Sequence, residues 1–156
     1  MKKFIVFIFS GILLVGIIFV ICNREKNYMN GSLLEEGVES MTIRVRAGNT
    51  TILFELNSSV AAKYLYEQLP LTVEVENFSS NEKIFYPTNK LNVTDTPLAN
   101  RGGVGVLAYY EPWGDVVMFY DSFSSASGLY ELGTAIEGSD QIENLFGEII
   151  IEKIEN

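Results

Sequence analysis

Three acidic residues lie close together in the sequence around one predicted turn: Glu111, Asp115 and Asp121. Carboxylate oxygens are the ligands that calcium prefers, but the ligand spacing of an EF-hand is missing. A pair of carboxylates can also hydrolyse a glycosidic bond. A solvated acidic rim explains the same residues without any site. We adopt that interpretation and predict neither a metal ion nor a cofactor.

Two other kinds of chemistry are restricted by residues that the chain lacks. It contains no histidine, which removes the usual general base near neutral pH and the base of a Ser-His or Cys-His pair. Its one cysteine, Cys22, excludes an intramolecular disulfide and any multi-cysteine metal site. The glycine-rich segment at 101–105 matches neither a P-loop nor a dinucleotide fingerprint, so we interpret it as a loop that enters a strand.

The overall composition indicates one globular domain with an acidic surface. Of the 156 residues, 47% are hydrophobic and 20% are charged, which is enough apolar material for a packed core. The formal net charge of −9 repels phosphate backbones and argues against nucleic acid as a partner. We expect the domain to be monomeric.

The N-terminus has the layout of an export signal or a signal anchor. Lys2 and Lys3 precede 19 uncharged residues at 4–22, which is just long enough to cross a bilayer as a helix. Lysines favour the cytoplasmic side, so we predict that residues 41–156 face outward from the cell membrane. The polar residues 23–40 are predicted to be a juxtamembrane linker.

Whether this segment is cleaved is left open by the residues around Cys22. The cysteine closes the apolar run where a bacterial lipoprotein carries its lipidated cysteine, so it is the lipidation candidate. Ile21 stands where the lipobox wants a small residue, and no small-x-small cleavage site is present. We favour an uncleaved anchor, with a lipoprotein as the alternative.

Alternating and helical patterns predict a mostly-β domain with two short helices. A hairpin is predicted from strands at 41–46 and 51–56, followed by a helix at 60–69 that Pro70 ends. Further strands are predicted at 71–78, 83–87, 105–110, 115–120, 129–136 and 148–155, with a capped helix at 139–145. Residues 91–105 form the longest predicted loop. The spacing of the strands indicates a small barrel or sandwich.

The last third of the chain resembles the cyclophilin pattern, and more closely the bacterial cyclophilin-like domain family. The resemblance rests on "GVLAYYEPWGDVVMFY" and "LYELGTAIEGSDQIENL", with Leu132-Gly133 and Glu137-Gly138 at characteristic places. It extends over residues 41–155 and implies a closed eight-stranded barrel capped by two helices.

The resemblance also implies where a ligand groove lies and what this chain lacks there. Cyclophilins polarise the proline amide with an arginine, and the matching position falls near Lys83, whose point charge is a poor substitute for a planar guanidinium. The groove histidine and tryptophan fall near Leu129 and Ser124, which do not match. An aromatic floor residue persists as Phe119 or Tyr120.

Six residues are the candidates for a ligand groove: Lys83, Arg101, Tyr110, Trp113, Phe119 and Tyr120. The aromatic residues are also expected core partners on paired strands. Trp113 either plugs the barrel end or forms a contact surface. We therefore predict a membrane-tethered, non-catalytic module that binds a peptide or a small ligand. The alternative is a weak prolyl isomerase acting on exported proteins.

Overall fold

The structure, a computed structural model, describes residues 40–154. The predicted membrane segment at 1–22, with Cys22, lies outside the described residues, as does nearly all of the predicted linker. None of the helices within 40–154 is long and apolar enough to cross a membrane.

Eight antiparallel strands close into a barrel, as the resemblance to cyclophilins implied. In chain order the elements are β1 (Thr42–Ala47), β2 (Thr50–Leu56), α1 (Val60–Glu67), β3 (Leu71–Phe78), β4 (Glu82–Phe85), β5 (Arg101–Gly102), β6 (Val106–Tyr110), β7 (Asp115–Phe119), β8 (Phe123–Ser124), β9 (Leu129–Glu137), a 3-10 helix (Ser139–Asn144) and β10 (Gly147–Ile154). The order around the barrel is β1-β10-β3-β4-β7-β6-β9-β2. The predicted eight-stranded barrel with two short helices is confirmed.

The first strands and helix form where the local patterns predict them. Gly48, with φ of 54°, lies in the turn that joins β1 to β2, a conformation that favours glycine. The Ser59 side chain accepts a hydrogen bond from the Ala62 amide and caps α1. The buried residues of α1 are Ala61, Ala62 and Leu65, which share its apolar face.

The main core fills the barrel and is covered by both helices. Phe54, Leu107 and Ile149 are fully buried within it. Leu65 of α1 and Ile142 of the 3-10 helix belong to the same cluster. Both helices therefore cap the barrel by adding apolar side chains to its interior.

Two details differ from the sequence-based expectations. The second helix is a 3-10 helix, and Gly138 with φ of 72° precedes it without a side-chain cap. The segment between β7 and β9, expected to be a plain loop, contains β8, which pairs with β5 in a separate two-stranded sheet. That small sheet lies beside a second apolar cluster, which includes Ala99, Val117 and Phe119.

Candidate functional site

A cavity of about 570 Å³ lies against the outer face of the barrel at β7. All five residues of β7 are buried because both of its faces are covered. Val116 and Met118 point into the main core, whereas Asp115, Val117 and Phe119 line the cavity. This alternation follows from the period of two along a strand. The volume is within the range of about 300–1,000 Å³ that small-ligand sites occupy.

Aromatic side chains form much of the lining. The five that line the cavity are Phe78, Tyr110, Trp113, Phe119 and Phe123. Trp113 meets Phe78 and Tyr110 edge to face, with centroid distances of 5.1 and 5.5 Å and interplanar angles of 82° and 81°. Trp113 keeps 53% of its surface exposed, so it stands at the rim of the cavity and does not plug the barrel.

A glycine allows the opposite wall to form. Phe123 of β8 stacks on Phe119, with ring centroids 3.9 Å apart. A Cβ atom on Gly102 would lie 2.7 Å from the Phe123 ring and 2.8 Å from Val106. Because Gly102 has no Cβ atom, the ring fits between β5 and Phe119.

The segment that follows β7 is held against the barrel by polar contacts. Asn81 donates a side-chain hydrogen bond to the Ser122 carbonyl at 3.2 Å, and its own carbonyl accepts one from the Tyr120 amide at 2.9 Å. Farther along, the Gly128 carbonyl accepts a hydrogen bond from the Glu111 amide at 2.9 Å. These contacts give the cavity a side wall that is attached at both ends.

Two carboxylates line this cavity beside its aromatic side chains. Asp115 is only 2% exposed, and its Oδ1 atom is buried without a hydrogen-bond partner. Burial raises the pKa of Asp115, although a hydrogen bond from its own backbone opposes this. Burial also raises the pKa of Glu82 on β4, and the charge of Asp115 raises it further. The remaining lining residues are uncharged: Asn81, Val117, Ser122, Ser124, Ala126 and Leu129.

Three of the six predicted groove residues line the cavity: Tyr110, Trp113 and Phe119. Tyr120 does not, since it packs partly against the main core and its hydroxyl donates to Asn77 Oδ1. Lys83 is opposite Met118 in the β4–β7 register and lies on the other face of β4 from Glu82. Its Nζ atom is 6.0 Å from the centre of the Tyr120 ring.

Arg101 is placed only through its backbone. Its strand pairs with β8, in register with Ser124, which lines the cavity. The Arg101 side chain is not among those described. Its predicted contact with a ligand stays a prediction.

Two positions that the cyclophilin resemblance assigned to the groove line the cavity, whereas Lys83, which it matched to the groove arginine, does not. Ser124 and Leu129, near which the groove tryptophan and histidine were expected to fall, both line it. Sequence reasoning missed Glu82 and Phe78 as lining residues. A period of two along "NEKIFY" would have put Glu82 on the face opposite Lys83, but the sequence does not show which face is outside. In residues 40–154, no group of three or more Asp, Glu or Cys side chains is placed to hold a metal ion.

Comparisons with known proteins agree with this fold. The sequence profile of the cyclophilin-like family matches residues 45–152, more than two thirds of the chain. The chain belongs to that family. A solution structure of a hypothetical protein from Archaeoglobus fulgidus is similar, with a TM-score of 0.59 and 15% identity, over 78% of this chain and all of that one. At this identity the likeness concerns the fold alone. No curated protein gives a significant match.

Proposed function

We propose that this member of the cyclophilin-like family is a membrane-tethered, extracytoplasmic module that binds a peptide or a small ligand without catalysis. The observation that carries the proposal is the aromatic cavity on the outer face of β7, open to solvent at Trp113. Concave, mostly apolar sites with a few polar groups are typical of ligand binding. Exposed tryptophan at such a site is a frequent source of binding energy.

The side chains in the cavity favour binding over isomerisation. From β4 the cavity receives the carboxylate of Glu82, whereas Lys83 lies on the other face of the strand. A carboxylate repels the carbonyl oxygen of a proline amide, which a cyclophilin arginine would attract. With Ser124 and Leu129 in place of the groove tryptophan and histidine, the described part of the lining lacks those two groups, which in a cyclophilin contribute to favouring a twisted amide.

The membrane tether is supported by sequence alone. The uncharged run at 4–22 follows two lysines and precedes the domain. Fractionation of cells that express the full chain tests this part. We expect the protein in the membrane fraction and its C-terminus accessible to protease on intact cells. Recovery in the soluble cytoplasmic fraction would contradict it.

Binding is tested with the full-length protein and a blocked Ala-Ala-Pro-Phe peptide. Trp113 is the one tryptophan of the chain, so its fluorescence reports occupancy of the cavity. We expect a saturable fluorescence change and no acceleration of cis-trans exchange of the peptide. By calorimetry, Trp113→Ala should weaken binding roughly tenfold, as loss of a contact residue of about 1.4 kcal/mol does.

Phe146→Ala is the matched control, because Phe146 is an exposed aromatic residue (81%) that does not line the cavity. It should bind as the unmodified protein does. Equal weakening by both variants would count against the proposed site, as would failure to bind both this peptide and peptides that carry a charged residue. Exchange above background that Lys83→Ala abolishes would favour the isomerase instead.

A further inference from the structure

A charge asymmetry in the cavity points to the class of its ligand. The lining contains two carboxyl groups, those of Glu82 and Asp115. Among the side chains described in residues 40–154, which leave out that of Arg101, no lysine or arginine lines the cavity. The one ion pair among the described residues joins Arg44 of β1 to Glu152 of β10, and neither residue lines the cavity. Neither cavity carboxylate is therefore neutralised by a described cation.

Asp115 is the second and independent sign of a missing partner. Its side chain is almost wholly buried, and Oδ1 accepts no hydrogen bond. Buried polar atoms are nearly always hydrogen-bonded, and leaving one unpaired costs stability. Such a cost is retained at sites where a ligand supplies the partner. A donor that enters the cavity would satisfy this atom.

The aromatic rim suits the same kind of donor. Phe78 and Tyr110 both stand nearly perpendicular to the Trp113 ring, and all three rings line the cavity. Aromatic faces attract organic cations, and such cages are used to recognise alkylated ammonium groups. A cation with an apolar stem would place its stem against the rings and its charge near the carboxylates.

We propose that the cavity binds an organic cation, a guanidinium or ammonium group on an apolar stem, which Asp115 and Glu82 hold between the aromatic rings. The proposal rests on the proposed function and names the ligand class for that same cavity. The ligand can be a basic side chain of a peptide or a free amine, since both present the same chemistry. Charge-assisted hydrogen bonds to carboxylates are about twice as strong as neutral ones.

The test uses the full-length protein and three blocked peptides that differ at one position, Ala-Xaa-Pro-Ala with arginine, citrulline or glutamate. Citrulline matches arginine in shape but has no charge. We expect the arginine peptide to bind at least tenfold more tightly than the citrulline peptide, and the glutamate peptide to bind most weakly. Propylguanidine, tested alone, distinguishes a free cation, which would bind comparably, from a peptide ligand, which needs its backbone.

Charge-removing variants locate the effect. Glu82→Gln and Asp115→Asn should each reduce the preference for arginine over citrulline at least threefold. Glu74→Gln changes the net charge equally from the exposed surface of β3 and should leave the preference unchanged. Thermal unfolding of each variant identifies any that fails to fold, and the peptide comparison on the unmodified protein stands without them.

The outcomes separate this inference from the proposed function. If the citrulline or glutamate peptide bound as tightly as the arginine peptide, the inference that the ligand is a cation would be overturned. The proposed binding function would still stand. A preference that Glu74→Gln reduces as strongly as Asp115→Asn would assign the effect to net charge and also overturn it. Failure of all three peptides and of propylguanidine to bind would overturn both.

Discussion

Glu82 and Asp115 face the same cavity from adjacent antiparallel strands, and the charge of Asp115 adds to burial in raising the pKa of Glu82. Neither group forms an ion pair with a described cation. This arrangement lowers the stability of the ligand-free protein whenever both groups are ionised. It is therefore the feature that most directly connects the stability of this domain to its proposed ligand.

The first prediction is that the pair makes the protein less stable as pH rises. Both folded-state pKa values are raised above the ordinary values of 3.8 for Asp and 4.5 for Glu, so the folded state holds these protons more tightly than the unfolded state. The favourable contribution is complete below those ordinary values and is lost as pH rises through the raised folded pKa values. Chemical denaturation at a series of pH values measures it.

Other groups near Asp115 affect that profile. Its charge also contributes to raising the pKa values of the Tyr86 and Tyr109 phenols, after burial, and Lys90 lies beside Gly114. The profile of the unmodified protein is therefore compared with that of Glu82→Gln and Asp115→Asn, each of which should be flatter above pH 4. Three superimposable profiles would show that the pair is not the cause.

The second prediction concerns Asp115 alone. Asp115→Asn removes a buried charge that has no described cation partner and keeps the shape of the side chain. At neutral pH the free energy of unfolding should increase by on the order of 1 kcal/mol, because an unpaired buried charge costs at least as much as an unpaired polar group. The gain should vanish near pH 3, where Asp115 is protonated. A loss of stability at neutral pH would mean that the contacts of the carboxylate, including the hydrogen bond from its own backbone, outweigh the cost of burying its charge.

The Asp115→Asn variant also shows whether lower stability and ligand recognition have the same cause. Functional sites often retain groups that reduce stability because the ligand needs them. If Asp115→Asn is both more stable and unable to distinguish arginine from citrulline, the unpaired carboxylate is explained by binding. Stability and ligand preference are measured on the same preparation.

The local patterns predicted the barrel strands well because each strand has a recognisable period or a bounding turn. The hairpin of β1 and β2, with Gly48 in its turn, and the helix α1, capped by Ser59, are examples. The site was harder to predict, because it depends on which face of a strand is outside. Phe119 and Tyr120 are adjacent, and only the closed barrel shows that Phe119 lines the cavity.

The small sheet of β5 and β8 could not be predicted for a different reason. Its strands have two residues each and no period. They pair across more than twenty residues of chain, and the pairing is stabilised by contacts such as the Phe119–Phe123 stack. Such tertiary contacts leave no local signal in the sequence.

The third prediction tests close packing at Gly133. A Cβ atom there would overlap the Glu55 carbonyl oxygen and lie 2.8 Å from the Leu56 Cα atom, where β9 pairs with β2. Gly133→Ala should therefore destabilise the protein by several kcal/mol or prevent folding, because backbone atoms of a central strand cannot move freely. Gly103→Ala is the matched control, since nothing lies within 4 Å of its added Cβ atom. Thermal unfolding compares the two, and similar melting temperatures would contradict the strand contact.

The last prediction concerns the wall formed by Phe123. Gly102→Ala places a Cβ atom 2.7 Å from the Phe123 ring, so the ring must shift from its stack on Phe119. The contact is with the Phe123 side chain, on a strand of only two residues, and a side chain can shift more easily than backbone. The shift should therefore cost no more than about 1–3 kcal/mol. It should nevertheless change the shape of the cavity.

We therefore expect Gly102→Ala to weaken binding of the arginine and citrulline peptides by a similar factor, leaving the ratio between them unchanged. The carboxylates set that ratio and lie on β4 and β7, whereas the added Cβ atom lies on β5. Gly103→Ala, one residue farther along, should leave both affinities unchanged. Calorimetric titration of the three proteins measures this. If Gly102→Ala abolished the preference and left citrulline binding intact, recognition of the charge would depend on the β5–β8 wall.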